Sequence, residues 1–484
     1  MGGFPHTPDF SGLNQPVGKE VELIGLKIEG EIPPEIDGAF FRAVPDPAFP
    51  PLFEDDTALS GDGMISRLLF HDGQADFDLR YVRTARHEAE VKASRALFGR
   101  YRNPYTDLPQ AAGVDRTVAN TTPVFHAGRL YMTKEDGHAY EVDPHTLETR
   151  GSWDFHGALR SETMTAHVRI DPRTQEMFFF GYEAAGLCST DVAYCIADAS
   201  GTLTSEQWFK TPYCSMMHDF AITEHHTIFP VFPTTSNLDR VKAGGAHWIH
   251  EPDLESWVGV MPRYGKVAEM KWFKGPKGVS VYHIMNAFEA DGKIHLDMHL
   301  SDTNAFPFIR AASGIERQPW EIGGGLVRWT MDMAGGDDIA QTTLGPPGDM
   351  PRIADADQGR PYGRGWYLSI NPQGGPPLMG GPVGSCFNML LRIEPDSGRI
   401  DALGLPPDHA ISEAVHVPTV AAGHEGWLIA IVDRMIGDNA YEHAAWILDA
   451  GKPADGPVAK VQIPVRLRPQ VHGWWVSSAA LERA

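Results

Sequence analysis

The sequence predicts an all-β fold of the β-propeller kind, on three observations. Short apolar or alternating runs recur from about residue 20 to the end, each broken by a tight-turn signal. Gly (50) and Pro (38) make up about 18% of the 484 residues, where ~12% is usual, yet 42% of the chain is hydrophobic, so many turns accompany a full core. Helical periodicity is scarce. Composition alone gives no blade number and leaves a pair of β-sandwiches open.

The elements follow in order. "RLLFHDGQADFDLRYV", "PVFHAGRLYMTKEDG", "VRIDPRTQEMFFFGY", "EADGKIHLDMHL", "LRIEPDSGRIDAL" and "AAGHEGWLIAIV" each read as strand, turn, strand, with DG, AG, RTQ, SG or EG at the bend. One stretch, "EAEVKASRALFGRY" over 88–101, has helical spacing and runs into the turn-like "RNP". No linker or charge block interrupts the hairpins. One domain over 1–484 is expected, with 1–20 as an extended N-terminal arm. A repeating hairpin unit suits a propeller, whose blades converge on a central channel.

A formal charge of −22 argues against nucleic acid as a partner, since phosphate neutralisation needs a basic face. "MGGFPHTPDFSG" lacks the basic and apolar regions of a secretion signal, and no apolar stretch approaches the ~20 residues of a membrane span. Cys188, Cys195, Cys214 and Cys386 have no metal-type spacing and form no disulfide framework. A reduced, cytoplasmic protein is expected.

Near the carboxyl end, "VRLRPQVHGWWVSS" carries His472 beside Gly473 in an apolar, aromatic run. A lone histidine there is ordinarily a satisfied core residue, because ligation needs partners from elsewhere. Of the 21 histidines, His6, His145, His225, His226, His247 and His250 sit in loop-like contexts that suit solvated or structural roles. His167 ("TMTAHVRI"), His218 ("SMMHDFAI") and His283 ("VYHIMNAFE") sit in strand-like ones. Separations of 51, 65 and 189 residues, ending at His472, are of the order of one blade or several. Four imidazoles from separate blades would then meet on the axis, a ligand type that suits Fe, Zn and Cu.

"GDGMISRLLFHDG", "AHVRIDP", "MHDFAIT", "GVMPRYG", "HIMNAFE", "SEAVHVP" and "VHGWW", in this order over about residues 20–478, closely resemble the carotenoid cleavage oxygenase family. The resemblance implies a seven-bladed propeller, with short helices and loops capping the metal face. It implies one non-haem Fe(II) per chain on His167, His218, His283 and His472, with O2 as co-substrate. "VHGWW" is then the last strand, closing the propeller and delivering the fourth ligand. Carboxylates back three of the four histidines in similar proteins, and Glu135 ("TKEDG") and Glu413 ("SEAVHVP") match them. At the third position relatives carry glutamate, whereas this chain has Asp349 in "DMPRI"; one carbon shorter, it is expected to need a water bridge or to miss its ligand.

"FGRYRNPYTD" with Tyr101 and "YMTKEDG" with Lys134 are similar to the bacterial lignostilbene dioxygenase branch, which cleaves the central double bond of 4-hydroxystilbenes into two aldehydes. Adjacent strand residues point to opposite sides, so Lys134 faces substrate while Glu135 backs a ligand. Lys134 and Tyr101 would hold and deprotonate the phenol. Leu59, in "TALSGDG", replaces a phenylalanine common in that branch, which removes a stacking partner and points to a bulkier or differently substituted stilbene. The alternatives are an apocarotenoid or phenylpropanoid-alkene cleaver and, more remotely, a non-catalytic binding scaffold. Similar bacterial enzymes pair as dimers, so a homodimer is expected.

Overall fold

Antiparallel ladders group the strands into seven sheets of four or more, one per blade, and a separate two-stranded ribbon pairs Thr234–Thr235 with Ile249–His250. The computed structural model describes residues 3–315, 317–318, 321–381 and 383–484. Blade 1 joins Val21–Leu23, Gly38–Pro45, Gly63–His71 and Gln74–Tyr81 to the last strand, Gly473–Ser477. Blades 2 to 6 are consecutive four-stranded meanders beginning at Thr122–His126, Arg169–Ile170, Ala221–Ile222, Ser280–Ala290 and Asp349–Arg352. Blade 7 runs from His409–Ile411 to Pro457–Ile463 and takes Ile28–Gly30 at its edge. First strands of neighbouring blades pack on one another around the axis.

Closure is a strand exchange. Gly473–Ser477 pairs with Gly38–Pro45, setting Phe40 opposite Trp475 and Arg42 opposite Gly473. Strands from the amino-terminal and carboxyl-terminal parts of the chain thus share one sheet, with Gly473–Ser477 as its last strand. Gly473 is needed at this seam: a Cβ there would lie 2.5 Å from Phe40 Cε2 and 3.0 Å from Val415 Cγ2.

Most hairpins fall where the turn signals put them. Asp72–Gly73, Ala127–Gly128 and Asp291–Gly292 all have positive φ at both turn residues, the primed geometry whose twist matches the flanking strands. "AAGHEGWLIAIV" differs: the strand before Trp427–Gly437 is Val415–Val417, and 418–426 is a loop. The helix also differs. It spans Ala85–Ala93, because Thr84 caps it by accepting from His87 N and Ser94 ends it in the left-handed conformation. Tyr101 therefore lies on a loop, not at a helix end.

The N-terminal arm, described from residue 3, packs rather than trails: Phe10 and Leu13 are buried, and Arg468 donates to Asp9 O at 3.1 Å. Residues 1 and 2 of that arm lie outside the described residues. Three loop segments meet over one face of the propeller. Asn103 Nδ2 donates to Val241 O and Gly245 O, beside the helix Leu238–Lys242, and Tyr101 meets the ring of Phe308 edge-on at 5.2 Å. Among the described residues no helix is long and apolar enough to cross a membrane.

Candidate active site

His167 stands two residues before the first strand of blade 3 and His218 three before that of blade 4. His283 lies in the first strand of blade 5, and His472 directly precedes the closing strand of blade 1. Each strand start is tied to its neighbour. Arg169 Nη2 donates to both oxygens of Asp219, at 2.6 and 2.7 Å, and Asp219 Oδ2 accepts from Ile284 N at 2.9 Å. These three residues sit within two positions of His167, His218 and His283, so the fork fixes the spacing of the strands that carry them.

The imidazoles converge. Nε2 of His218 lies 3.1 Å from Nε2 of His167 and of His283, and Nε2 of His283 lies 3.1 Å from that of His472. Three rings have their other nitrogen committed: His218 Nδ1 donates to Glu135 Oε1, His283 Nδ1 to Asp349 Oδ1 at 2.8 Å, and His472 Nδ1 to Glu413 Oε1 at 3.0 Å. Protons held on Nδ1 leave bare Nε2 lone pairs facing one another, an arrangement that repels itself unless a cation sits between them. Ligands at right angles about 2.1 Å from a metal would be about 3.0 Å apart, and tetrahedral ones about 3.4 Å. The donor set therefore fits a divalent transition metal with positions left open, rather than a closed tetrahedral site.

Asp349 reaches its histidine directly, against the expectation of a water bridge or no contact. The ladder between Asp349–Arg352 and Gly365–Ser369 slips register, and Met350 sits at φ +58°. Such a bulge re-aims a side chain and makes up for the missing carbon.

The carboxylates are themselves held. Arg352 makes two bonds of 3.0 Å to Glu413, which also accepts from Gly473 N at 2.8 Å. Tyr182 Oη donates to Glu135 Oε2 at 2.7 Å and accepts from Arg102 at 3.0 Å, and Arg102 pairs with buried Glu183. Burial pushes the Glu135 carboxyl up, but His218, Lys134 and Tyr182 bring it down to about 2. Sequence reasoning missed Tyr182, Arg102 and Arg352. His247 and His250, placed among the loop histidines, are buried, and His247 pairs with Glu183.

A cavity reaches His218, His283 and His472, and Leu59, Tyr101 and Lys134 line it. Lys134 is 3% exposed and its Nζ lies 5.4 Å from the centre of the Tyr101 ring. Among the described residues no group pairs directly with that ammonium. Burial lowers its pKa, with Asp136 and Glu135 opposing, while burial first and then Glu135 raise that of Tyr101. A neutral amine is thus made accessible beside a phenol that keeps its proton. Tyr282 and Phe306, edge-on with ring centres 4.2 Å apart, supply aromatic walls beyond Leu59 that no local sequence signal marked.

The family model described as RPE65, retinal pigment epithelial membrane protein, matches residues 14–477. Lignostilbene-alpha,beta-dioxygenase isozyme III of Sphingomonas paucimobilis is 40% identical over 489 residues, covering 99% of both chains. Isoeugenol monooxygenase of Pseudomonas nitroreducens is 39% identical, covering 97% of this chain and 98% of its own. The crystal structure of Pseudomonas brassicacearum lignostilbene dioxygenase superposes with a TM-score of 0.93 at 36% identity, covering 99% of this chain and all of that one. Nothing in the single chain or in these relatives supports the expected homodimer. The chain belongs to the RPE65/carotenoid cleavage oxygenase family, and within it is a lignostilbene-alpha,beta-dioxygenase-like, double-bond-cleaving enzyme.

Proposed function

We propose that this protein is a non-haem Fe(II) dioxygenase, a single propeller domain that cleaves the central C=C of 4-hydroxystilbenes into two aromatic aldehydes. The observation that carries the reading is buried Lys134, without a direct partner among the described residues, beside Tyr101 in a cavity that reaches His218, His283 and His472, three of four convergent histidines. Bound by His167, His218, His283 and His472, iron would supply the activation of O2. Glu135, Asp349 and Glu413 keep three of those rings in the ligating tautomer.

Lys134 takes the proton of the 4-hydroxyl and remains as the cation paired with the phenolate, and Tyr101 donates a hydrogen bond to the same oxygen. Electron density then passes through the conjugated ring to the alkene, making it the more reactive toward oxygen. Both atoms of O2 are consumed, and one C=C becomes two C=O groups. Apolar Leu59, Tyr282 and Phe306 hold the hydrocarbon body and exclude water.

A phenylpropanoid alkene is the second reading, favoured by the isoeugenol-named relative; both named substrates join a 4-hydroxyphenyl ring to an alkene. Oxygen uptake with 4-hydroxystilbene, isoeugenol and an apocarotenal tests the assignment. The stilbene should give the highest kcat/KM, and an apocarotenal in first place would overturn it. A cytoplasmic setting belongs to the proposal, supported by four free cysteines.

A further inference from the structure

A second group of metal-ligating side chains lies outside the four-histidine cluster. Glu183, Cys188 and His247 each offer a ligand atom, and the three atoms lie within 4.8 Å of one another. Glu183 directly follows the strand Met177–Tyr182, and both it and Cys188 take left-handed backbone, at φ +53° and +62°. The loop turns back on itself there, and Cys188 N donates to Glu183 Oε1 at 2.5 Å. His247, from the cap loop after Leu238–Lys242, has its Nε2 3.0 Å from the same oxygen. Cys214, between Leu203–Lys210 and Ala221–Ile222, has its Sγ 3.8 Å from it. Side chains from three segments therefore meet at one carboxylate.

Thiolate, imidazole and carboxylate are the ligand classes that zinc takes, usually four at a time in a tetrahedron. With nitrogen and oxygen about 2.1 Å and sulfur about 2.3 Å from the ion, an oxygen stands about 3.4 Å from a nitrogen and about 3.6 Å from a sulfur. The 3.0 and 3.8 Å at Glu183 Oε1 lie within about half an ångström of those values. Charge balances as well. Two ionised thiols neutralise a divalent ion, while Arg102 neutralises Glu183 through its other oxygen, Oε2. Such pairing matters because Glu183, His247 and Cys214 are all buried. A cavity separate from the substrate-facing one, lined by His247, Asp9, Asp56 and the exposed Asp55, gives an ion a way in.

We propose that Glu183, Cys188, Cys214 and His247 bind one thiophilic divalent cation, with zinc as the type, at a site distinct from the four histidines. Binding expels the protons of both thiols. The ion ties the loop after Met177–Tyr182 and the segment leading into blade 4 to the loop that caps the propeller face. A hydrogen-bonded chain also joins it to the histidine cluster: Arg102 holds Glu183 and donates to Tyr182, Tyr182 donates to Glu135, and Glu135 accepts from His218. Cysteine spacing shows no metal motif because the ligands come together only across these separate segments.

The test adds Zn(II) to the iron-loaded, full-length protein, removes unbound metal by gel filtration, and measures zinc and iron per chain. One zinc should be retained with the iron unchanged. Cys188→Ser replaces only the sulfur of a half-buried side chain, so iron content and circular dichroism should match wild type. Its zinc affinity should fall by about 100-fold or more, the upper range for changes even outside the ligand shell. Co(II) added in place of zinc should give thiolate-to-cobalt charge-transfer absorption, which a four-imidazole site cannot produce, and the band should weaken in Cys188→Ser and in Cys214→Ser. No retained zinc, zinc retained only at the expense of iron, no thiolate-to-cobalt band in wild type, or unchanged zinc affinity in Cys188→Ser would overturn the site. The wild-type absorption decides the matter even where a variant fails to fold.

Discussion

Asp349 Oδ1 accepts from His283 Nδ1 at 2.8 Å, so an aspartate does here what glutamates do for His218 and His472. Asp349→Asn is expected to weaken iron binding by about 10- to 100-fold, in the same range as Glu135→Gln and Glu413→Gln. Competition against a chelator measures all three. An Asp349→Asn protein with wild-type iron affinity would show that the contact has no bearing on the metal.

Tyr182 reaches Glu135 from behind, at 2.7 Å. Deleting that hydroxyl in Tyr182→Phe leaves a buried carboxylate one donor short, so iron affinity should fall by about 10-fold, the worth of a hydrogen bond to a charged group. The visible spectrum of the cobalt-loaded protein should shift as His218 reorients. An unaltered spectrum and affinity would reduce Tyr182 to a packing residue.

The hairpins were legible because their turns are written locally, while the seven blades and the grouping of the four histidines followed from the resemblance of ordered motifs to the family. Hairpin turns carry Gly and Asp at fixed places, and each histidine sits at or near the start of a strand. What escaped reading is long-range. Tyr182 lies in Met177–Tyr182, a strand buried along its whole length, where a tyrosine looks like core. Arg352 meets Glu413 from 61 residues away, and Gln470 meets Arg42 from 428. The reach of Asp349 depends on a bulge that its side-chain length cannot reveal. The helix was misplaced because Thr84, its cap, lies before the apolar periodicity begins.

Gly473 holds the closing strand against Phe40 and places His472 beside it. Gly473→Ala should cost about 1–3 kcal/mol by overpacking and should lower iron content at the same time. Thermal unfolding alongside metal analysis checks both. Wild-type behaviour in both would mean that the seam yields to a methyl group without moving the ligand.

Replacing His167, His218, His283 or His472 with Ala should remove most bound iron and abolish turnover, while the far-ultraviolet circular dichroism stays propeller-like, because the core is divided among separate clusters between blades. Full iron occupancy in His472→Ala would exclude it as a ligand.

The most direct measurement is oxygen uptake with 4-hydroxystilbene and 4-methoxystilbene, on wild type and on Lys134→Met. The methyl ether is nearly the same size but has no proton to give up, and buried groups built for a hydroxyl discriminate by about 10⁴-fold. Wild type should cleave the phenol and barely touch the ether. Lys134→Met should bind iron normally and lose turnover chiefly in kcat, as expected when the lost interaction acts in the transition state. Comparable cleavage of the ether by wild type, or an unimpaired Lys134→Met enzyme, would contradict the phenol handle.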